Sequence, residues 1–107
     1  MDPLKVSAKT NPHSVAAAMV TMLKQRRSVE LLVVGAGALN QAMKAVAIAR
    51  PQLLPEGWDV VVIPSFQPIE IDGEARTGIN LKVEHRPEQV IDLRDSVLQP
   101  RGSHVTS

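Results

Sequence analysis

The arrangement of apolar and polar residues along the chain predicts four strands. Residues 4–9 and residues 78–85 alternate between the two kinds, which is the pattern of a strand with one face in the core. Residues 31–34 form an unbroken apolar run, short and partly β-branched, which is typical of a buried strand. Residues 58–63 form another apolar run, and a strand pattern resumes at 68–71. Prolines separate these last two stretches, so the strand is expected to be bent or at a sheet edge there.

The alternation also predicts which side chains of the last strand face the core. The inward residues are expected to be Ile79, Leu81 and Val83, and the outward residues Asn80, Lys82 and Glu84.

Two helices are predicted between the strands. The first has Asn11 as its N-cap and Pro12 at its first position, where a missing N–H costs nothing, and an amphipathic pattern continues over 14–27. The second covers about 38–50 and is rich in alanine. Pro51 is expected to end it, because the residue before a proline is biased away from the helical conformation.

The predicted order is therefore β-α-β-α-β-β, an α+β domain. Each strand–helix–strand crossover should be right-handed, which places both helices on one face of a four-stranded mixed sheet. Asp72-Gly73-Glu74 marks the turn between the last two strands. The compact domain is expected to occupy residues 1–87. Residues 88–107 are expected to be a C-terminal tail, with a short amphipathic helix at 89–98 and then a disordered end.

Composition narrows the classes of function. The chain has 107 residues, 44% of them hydrophobic, with one Phe, one Trp and no Tyr, so we expect one domain with an aliphatic core. So few aromatic rings argue against a base-stacking platform for single strands. A formal net charge of +1 does not by itself indicate a polyanionic partner.

The sequence gives no support for a metal site, a cofactor site or a membrane-spanning segment. Cys is absent, and the three His are too far apart for metal-ligand spacing, so we expect no metal and no cofactor. No apolar run approaches the roughly 20 residues of a membrane span, and the start of the chain lacks the apolar core of a signal peptide. A cytoplasmic protein without a membrane partner is expected.

Gly35-Ala36-Gly37, between a strand and a helix, resembles a dinucleotide-binding fingerprint. Asn40 occupies the position of the third glycine, and the acidic residue expected about 20 residues later is missing. A tight turn with packing glycines is therefore favoured over a dinucleotide site. No serine has a basic partner in a catalytic spacing, and Asp72 and Glu74 belong to a turn, so we predict that the protein is not an enzyme.

Three stretches together resemble a known family. They are residues 4–12 (LKVSAKTNP), residues 35–50 with the motif GAGALNQA, and residues 69–74 (IEIDGE). They resemble the stage V sporulation protein S family, over about residues 4–86, and the middle motif is highly specific. The resemblance implies a small, non-enzymatic bacterial protein of sporulation and development. It also implies a fold similar to that of the Alba chromatin proteins, which form dimers and bind nucleic acid.

The resemblance also suggests where nucleic acid would bind. Alba-type proteins use a lysine near the end of the first strand, basic residues before the second helix and a basic hairpin. Lys9 matches the first position, whereas the loop before the second helix contains no arginine and the hairpin is of mixed charge. The predicted nucleic-acid-binding residues are Lys5, Lys9, Asn40, Lys44, Arg76 and Lys82, with Gly35, Ala36 and Gly37 as a loop that lets the backbone approach.

We expect a homo-dimer or tetramer with DNA or RNA as its partner. The alternative is a protein-interaction or scaffold module that associates with itself through the alanine-rich helix and the uncovered sheet face, without nucleic acid. A third alternative is a small anionic ligand at the glycine turn. Lysines clustered on one face would favour nucleic acid, and lysines scattered around the surface would count against it.

Overall fold

The structure is a computed structural model and describes residues 2–88. Within them the order of elements is β-α-β-α-β-β, as predicted. The elements are β1 (Leu4–Val6), α1 (Pro12–Gln25), β2 (Ser28–Val33), α2 (Ala36–Leu53), a short 3-10 turn (Leu54–Glu56), β3 (Trp58–Ile71) and β4 (Glu74–Pro87). The helix and the disordered end predicted for the tail lie outside the described residues, apart from Glu88. Neither α1 nor α2 has the length and apolarity needed to cross a membrane.

The sheet has the strand order β1-β2-β4-β3. β1 and β2 are parallel, and the other two pairs are antiparallel. Both helices pack on one face, so the predicted α+β class and mixed sheet are confirmed. Leu31 lies at the centre of this face, in register with Leu4 on one side and Leu81 on the other. Aliphatic side chains make up the core. Phe66 is exposed, and Trp58 is partly buried and packs against the outside of the core.

α1 begins where the sequence predicts. Asn11 is the N-cap, and its side-chain oxygen accepts a 2.8 Å hydrogen bond from the N–H of His13. Pro12 occupies the first helical position. The helix ends at Gln25 rather than continuing to residue 27, because Arg26 adopts an extended conformation that leads into β2.

α2 continues through Pro51 to Leu53, so the prediction that Pro51 ends the helix is wrong. Proline cannot donate the helical hydrogen bond, but only Gln52 and Leu53 follow it in α2. The Gln52 side-chain amide donates to the carbonyl of Ile48 at 3.3 Å. Leu53 is buried in the core, and this burial holds the last turn in place.

β3 runs without interruption through Pro64 and Pro68 at the edge of the sheet, so the predicted edge position is confirmed. The N–H of His85 on β4 donates to the carbonyl of Arg27, toward β2. Successive residues of a strand direct their backbone hydrogen bonds to opposite sides. The even-numbered residues of β4 therefore bond to β3, where they pair with odd-numbered residues. The backbone N–H and C=O groups of the even-numbered β3 residues therefore point away from the sheet. Pro64 and Pro68 are among these residues, so their missing N–H groups remove no hydrogen bond between strands.

β3 and β4 extend well beyond β2 and form a projecting hairpin. Each has 14 residues, whereas β2 has six. At the tip Asp72 and Gly73 both have positive φ, of 51° and 79°, which is the backbone of a two-residue type I′ turn, as the sequence predicts. We call residues 67–78 the hairpin arm, because the pairing of β4 with β2 stops at Ile79.

The Asp59 carboxylate ties α2 to the start of β3. It accepts two hydrogen bonds from the Arg50 guanidinium, at 2.7 and 3.2 Å, and one from the Val60 N–H at 2.8 Å. The bonds from Arg50, followed by the bond from Val60, lower the pKa of Asp59 from its ordinary value of 3.8 to about 2.

We expect Asp59→Asn to reduce the acid dependence of stability. A carboxyl group whose pKa is lower in the folded state stabilises the fold above its unfolded pKa. For Asp59 this contribution is lost as the pH falls from about 4 to about 2. Thermal unfolding followed by circular dichroism should show wild type melting above Asp59→Asn at neutral pH, with the gap closing through that window. A gap that stays constant would contradict this assignment, and Asp72→Asn at the hairpin tip serves as the control.

Candidate nucleic-acid interface

The glycine turn brings the start of α2 against the loop that follows β1. Gly35 is the N-cap of α2, with φ 92° and no capping side chain. A Cβ atom on Gly37 would lie 2.9 Å from the Cβ of Ala8, so only glycine fits this contact. The Gln41 amide donates to the Thr10 carbonyl at 3.0 Å and closes the same junction. The close backbone approach at this turn is therefore to the chain itself.

This junction places Lys9 beside the start of α2. Asn40 and Lys44 follow on the solvent side of the helix, and all three residues are exposed. Lys44 comes two helical turns after Gly37, on the stripe that faces the loop after β1. We call Lys9, Asn40 and Lys44, together with the free N–H groups of the first turn of α2, the helix-start surface.

Both helices contribute positive potential to this edge of the sheet. β1 and β2 are parallel, so their carboxyl ends lie at the same end of the sheet, and α1 and α2 both begin there. Neither helix has an acidic residue in its first turn, where Asp and Glu are usually favoured. The positive ends of both helix dipoles therefore act beside Lys9 with no carboxylate in either first turn. The nearby acidic residue is Glu70 of the hairpin arm, which lines a cleft together with Ser7 and Ala8. The absence of acidic residues from the two first turns could have been read from the sequence alone, because the start of each helix determines which residues form its first turn.

Lys5 and Lys82 lie on the opposite side of the sheet, which we call the open face because no helix covers it. Lys82 forms an ion pair with Glu84 at 3.3 Å and stands opposite Glu30 in the β-sheet register. Lys5 borders a cleft of about 330 Å³ between β1 and the hairpin arm, lined also by Leu32 and Ile69. Lys82 is therefore locally neutralised. The cleft beside Lys5 is mostly apolar, but its lining also includes the acidic Glu70.

Arg76 lies on the hairpin arm among acidic side chains. The arm carries Glu70, Asp72 and Glu74 in addition to Arg76, so three negative charges and one positive charge give a formal net charge of −2. All four side chains are exposed. The arm therefore presents an acidic surface.

The structure thus divides the six predicted residues among three regions. Lys9 lies beside the start of α2, and Asn40 and Lys44 follow within the next two turns of that helix. Lys5 and Lys82 lie on the open face and Arg76 on the arm, so no single face holds all of them.

Asn80 differs from its predicted exposure. It points to the open face, but it is only 8% exposed, so the prediction that it faces solvent is wrong. Its amide donates to the Glu30 carboxylate at 2.8 Å and to the Gln67 side-chain oxygen at 3.3 Å. These side chains cover it and connect β2, β4 and the base of the arm.

Residues 2–88 contain no group of three or more His, Asp or Glu side chains placed to hold a metal ion. The arrangement of the helix-start surface instead suits an extended anion that is held by lysines and backbone N–H groups.

Residues 2–86 match the model of a protein family described as Stage V sporulation protein S. The match covers nearly all of the described domain. It includes the glycine turn, all six predicted binding residues and the hairpin arm.

Proposed function

The chain belongs to the stage V sporulation protein S family, and we propose that it is a non-enzymatic regulatory protein that binds nucleic acid as a homo-oligomer. Membership of the family supports a role related to sporulation. The helix-start surface supports a polyanionic partner.

The observation that carries this proposal is the positive potential where the two helices begin. Lys9 and Lys44 supply two mobile cations, and two helix N-termini without acidic first turns supply fixed partial charges. Asn40 adds a neutral hydrogen-bonding group between them. A phosphate backbone matches this combination, because lysine neutralises phosphate and backbone N–H groups donate to its oxygens.

The small number of lysines on one copy is the reason that we include association of copies in the proposal. Proteins that bind duplex DNA strongly often make about 6–10 phosphate contacts, and the helix-start surface offers only two lysines. Two or four copies on one strand of nucleic acid would multiply this number. Lys5, Arg76 and Lys82 are assigned secondary contacts, because acidic side chains surround Arg76 and Lys82 and Glu70 lines the same cleft as Lys5.

The test is a fluorescence-anisotropy titration of the purified chain against duplex DNA, single-stranded DNA and RNA, at about 50 mM and about 200 mM salt. We expect binding to weaken steeply between the two salt concentrations. Lys9→Glu combined with Lys44→Glu should weaken binding by at least tenfold at low salt. The salt slope for duplex DNA should fall by roughly two, since each lost phosphate contact contributes about 0.9.

A matched control separates a local site from overall charge. Arg26→Glu combined with Arg27→Glu makes the same change of charge at the far end of α1, and it should leave binding nearly intact. Equal losses in both double variants would contradict the helix-start surface as the site. Absence of binding by the wild type at low salt would overturn the nucleic-acid proposal.

The acidic hairpin arm favours a second candidate function. A surface with a formal charge of −2 repels phosphate and suits contacts with protein. On this alternative the chain is a protein-interaction or scaffold module that associates with itself. Self-association without nucleic-acid binding in the same titration would favour it.

A further inference from the structure

A half-buried apolar stripe follows the first part of β3, on the side of the sheet that carries the helices. Trp58, Val60 and Val62 pack against the core there, but each of them keeps part of its surface in contact with solvent. They alternate with residues that face the other side of the sheet, as in any strand. We call these three residues the β3 stripe. Among the described residues, α1 and α2 therefore leave this edge of the sheet incompletely covered.

The chain leaves the described domain at one end of the β3 stripe. The N–H of Glu88 donates to the carbonyl of Gly57 at 2.8 Å, and Gly57 is the residue before Trp58. The pKa of Arg50 is raised mainly by its hydrogen bond with Asp59, and the charge of Glu88 adds to this effect. The Glu88 carboxylate therefore lies near the last turns of α2. The chain that follows begins beside both the stripe and this helix.

Residues 89–98 lie outside the described residues, and their sequence has the pattern of a helix with one apolar side. At about 100° per residue, five aliphatic residues fall on that side: Val90, Ile91, Leu93, Val97 and Leu98. Arg94 also falls there, and its long aliphatic stem can cover apolar surface. The opposite side carries Gln89, Asp92, Asp95 and Ser96. A helix of only about ten residues is not stable alone in water, so this pattern indicates that the apolar side covers a surface.

We propose that residues 89–98 form a third helix that packs on the β3 stripe of the same chain. The lengths agree, because a helix of ten residues is about 15 Å long and the four strand residues from Trp58 to Val62 span about 13 Å. Docking within one chain also avoids the entropy cost of bringing two molecules together. This inference goes beyond the proposed function, since the stripe and the helix-start surface lie at opposite ends of α2.

The charges favour this side of the sheet. α2 carries Lys44 and Arg50 and no acidic residue, so the carboxylates on the polar side of the segment would lie beside a positive helix.

The open face is a poorer match near the same end of the sheet. β4 presents Lys82, Glu84 and Arg86 there, and β2 presents Glu30. An apolar helix side placed on these residues would bury charged groups, which is costly. The β3 stripe instead offers two aliphatic side chains and a ring to an aliphatic surface.

The experiment is acrylamide quenching of the fluorescence of Trp58, the only Trp of the chain, in the full-length protein. Ile91→Asp combined with Leu98→Asp places two charges on the apolar side of the segment. We expect this double variant to raise the quenching constant roughly twofold, because a packed helix closes about half of the directions from which acrylamide reaches the ring. The matched control is Gln89→Asp combined with Ser96→Asp, which adds the same two charges at the same spacing on the polar side. It should quench like the wild type.

Hydrogen exchange of the backbone amides gives a second measurement. The N–H groups after the first turn of the segment, in residues 93–98, should exchange at least about tenfold more slowly than expected for an unfolded chain. This protection should be lost in Ile91→Asp with Leu98→Asp and kept in the control.

Several outcomes would overturn the inference. Equal quenching in the wild type and both double variants would mean that the segment does not cover Trp58. Equal rises in both double variants would show an effect of charge alone. Protected amides together with unchanged quenching would place the helix on another surface.

Protein concentration separates this inference from the proposed association of copies. Docking within one chain does not depend on concentration, so the difference in quenching should be the same in dilute and concentrated samples. A difference that appears only in concentrated samples would show contact between copies and overturn docking within the chain. The anisotropy titration measures nucleic-acid binding independently of either result.

Discussion

Leu31→Ala is expected to lower the free energy of unfolding by about 2–5 kcal/mol. Leu31 has no exposed surface and lies between Leu4 and Leu81 at the centre of the sheet. Removing its branched end leaves a cavity that three strands and two helices cannot all move to fill. Since domains are typically stable by about 5–15 kcal/mol, this single change removes a large part of the total.

The measurement for Leu31→Ala is urea unfolding followed by far-UV circular dichroism. All samples are compared at one protein concentration, because the proposed association of copies would add stability that depends on concentration. The control is Leu32→Ala, the next residue, whose side chain is half-buried on the open face. Equal losses in the two variants would contradict the assignment of the core to the helix side of the sheet.

Gly37→Ala is expected to cost about 1–3 kcal/mol, as overpacking of a tight contact does. The added Cβ would lie 2.9 Å from the Cβ of Ala8. Both atoms are fixed directly to the backbone, so α2 or the loop after β1 must move. For a domain of this size, the loss corresponds to a fall in Tm of about 4–8 °C per kcal/mol.

A second substitution tests the cause. Ala8→Gly removes the atom that the new Cβ would meet, so the double variant Ala8→Gly with Gly37→Ala should recover most of the lost stability. Ala8→Gly alone, at an exposed turn position, should change stability little. If the double variant is no more stable than Gly37→Ala, the packing explanation fails. If Gly37→Ala abolishes nucleic-acid binding at full stability, the glycine serves a ligand instead.

The parts of the fold that the sequence predicts well are those with local causes. Asn11 and Pro12 mark the start of α1 because a cap and a fixed φ act within one turn. Asp72 and Gly73 mark the hairpin because few residues tolerate two successive positive φ values. The core-facing side of β4, with Ile79, Leu81 and Val83, follows from the alternation of apolar and polar residues.

Non-local packing explains the predictions that were wrong. Pro51 stays within α2 because Leu53 is anchored in a core formed by distant residues. Asn80 is buried because Glu30 and Gln67, on two other strands, fold over it. A rule that considers only neighbours in the sequence does not include these contacts.

The candidate site illustrates the same division. The alternation of β1 and β4 places Lys5 and Lys82 on one face, and helical spacing joins Asn40 to Lys44. The meeting of Lys9 with the start of α2 depends on the contact between Ala8 and Gly37, which no pattern along the chain reveals. The exposure of Phe66 likewise depends on how far the helices extend across the sheet. The two prolines on either side of it were a usable signal of an edge strand.

The outward prolines of β3 also determine whether growth of an assembly terminates. A bare strand edge can recruit copies indefinitely, because each added strand exposes a new edge, and this is how fibres lengthen. At Pro64 and Pro68 such templating lacks its donors. The two prolines therefore make this edge a poor template for an added strand, even where the local concentration of the chain is high.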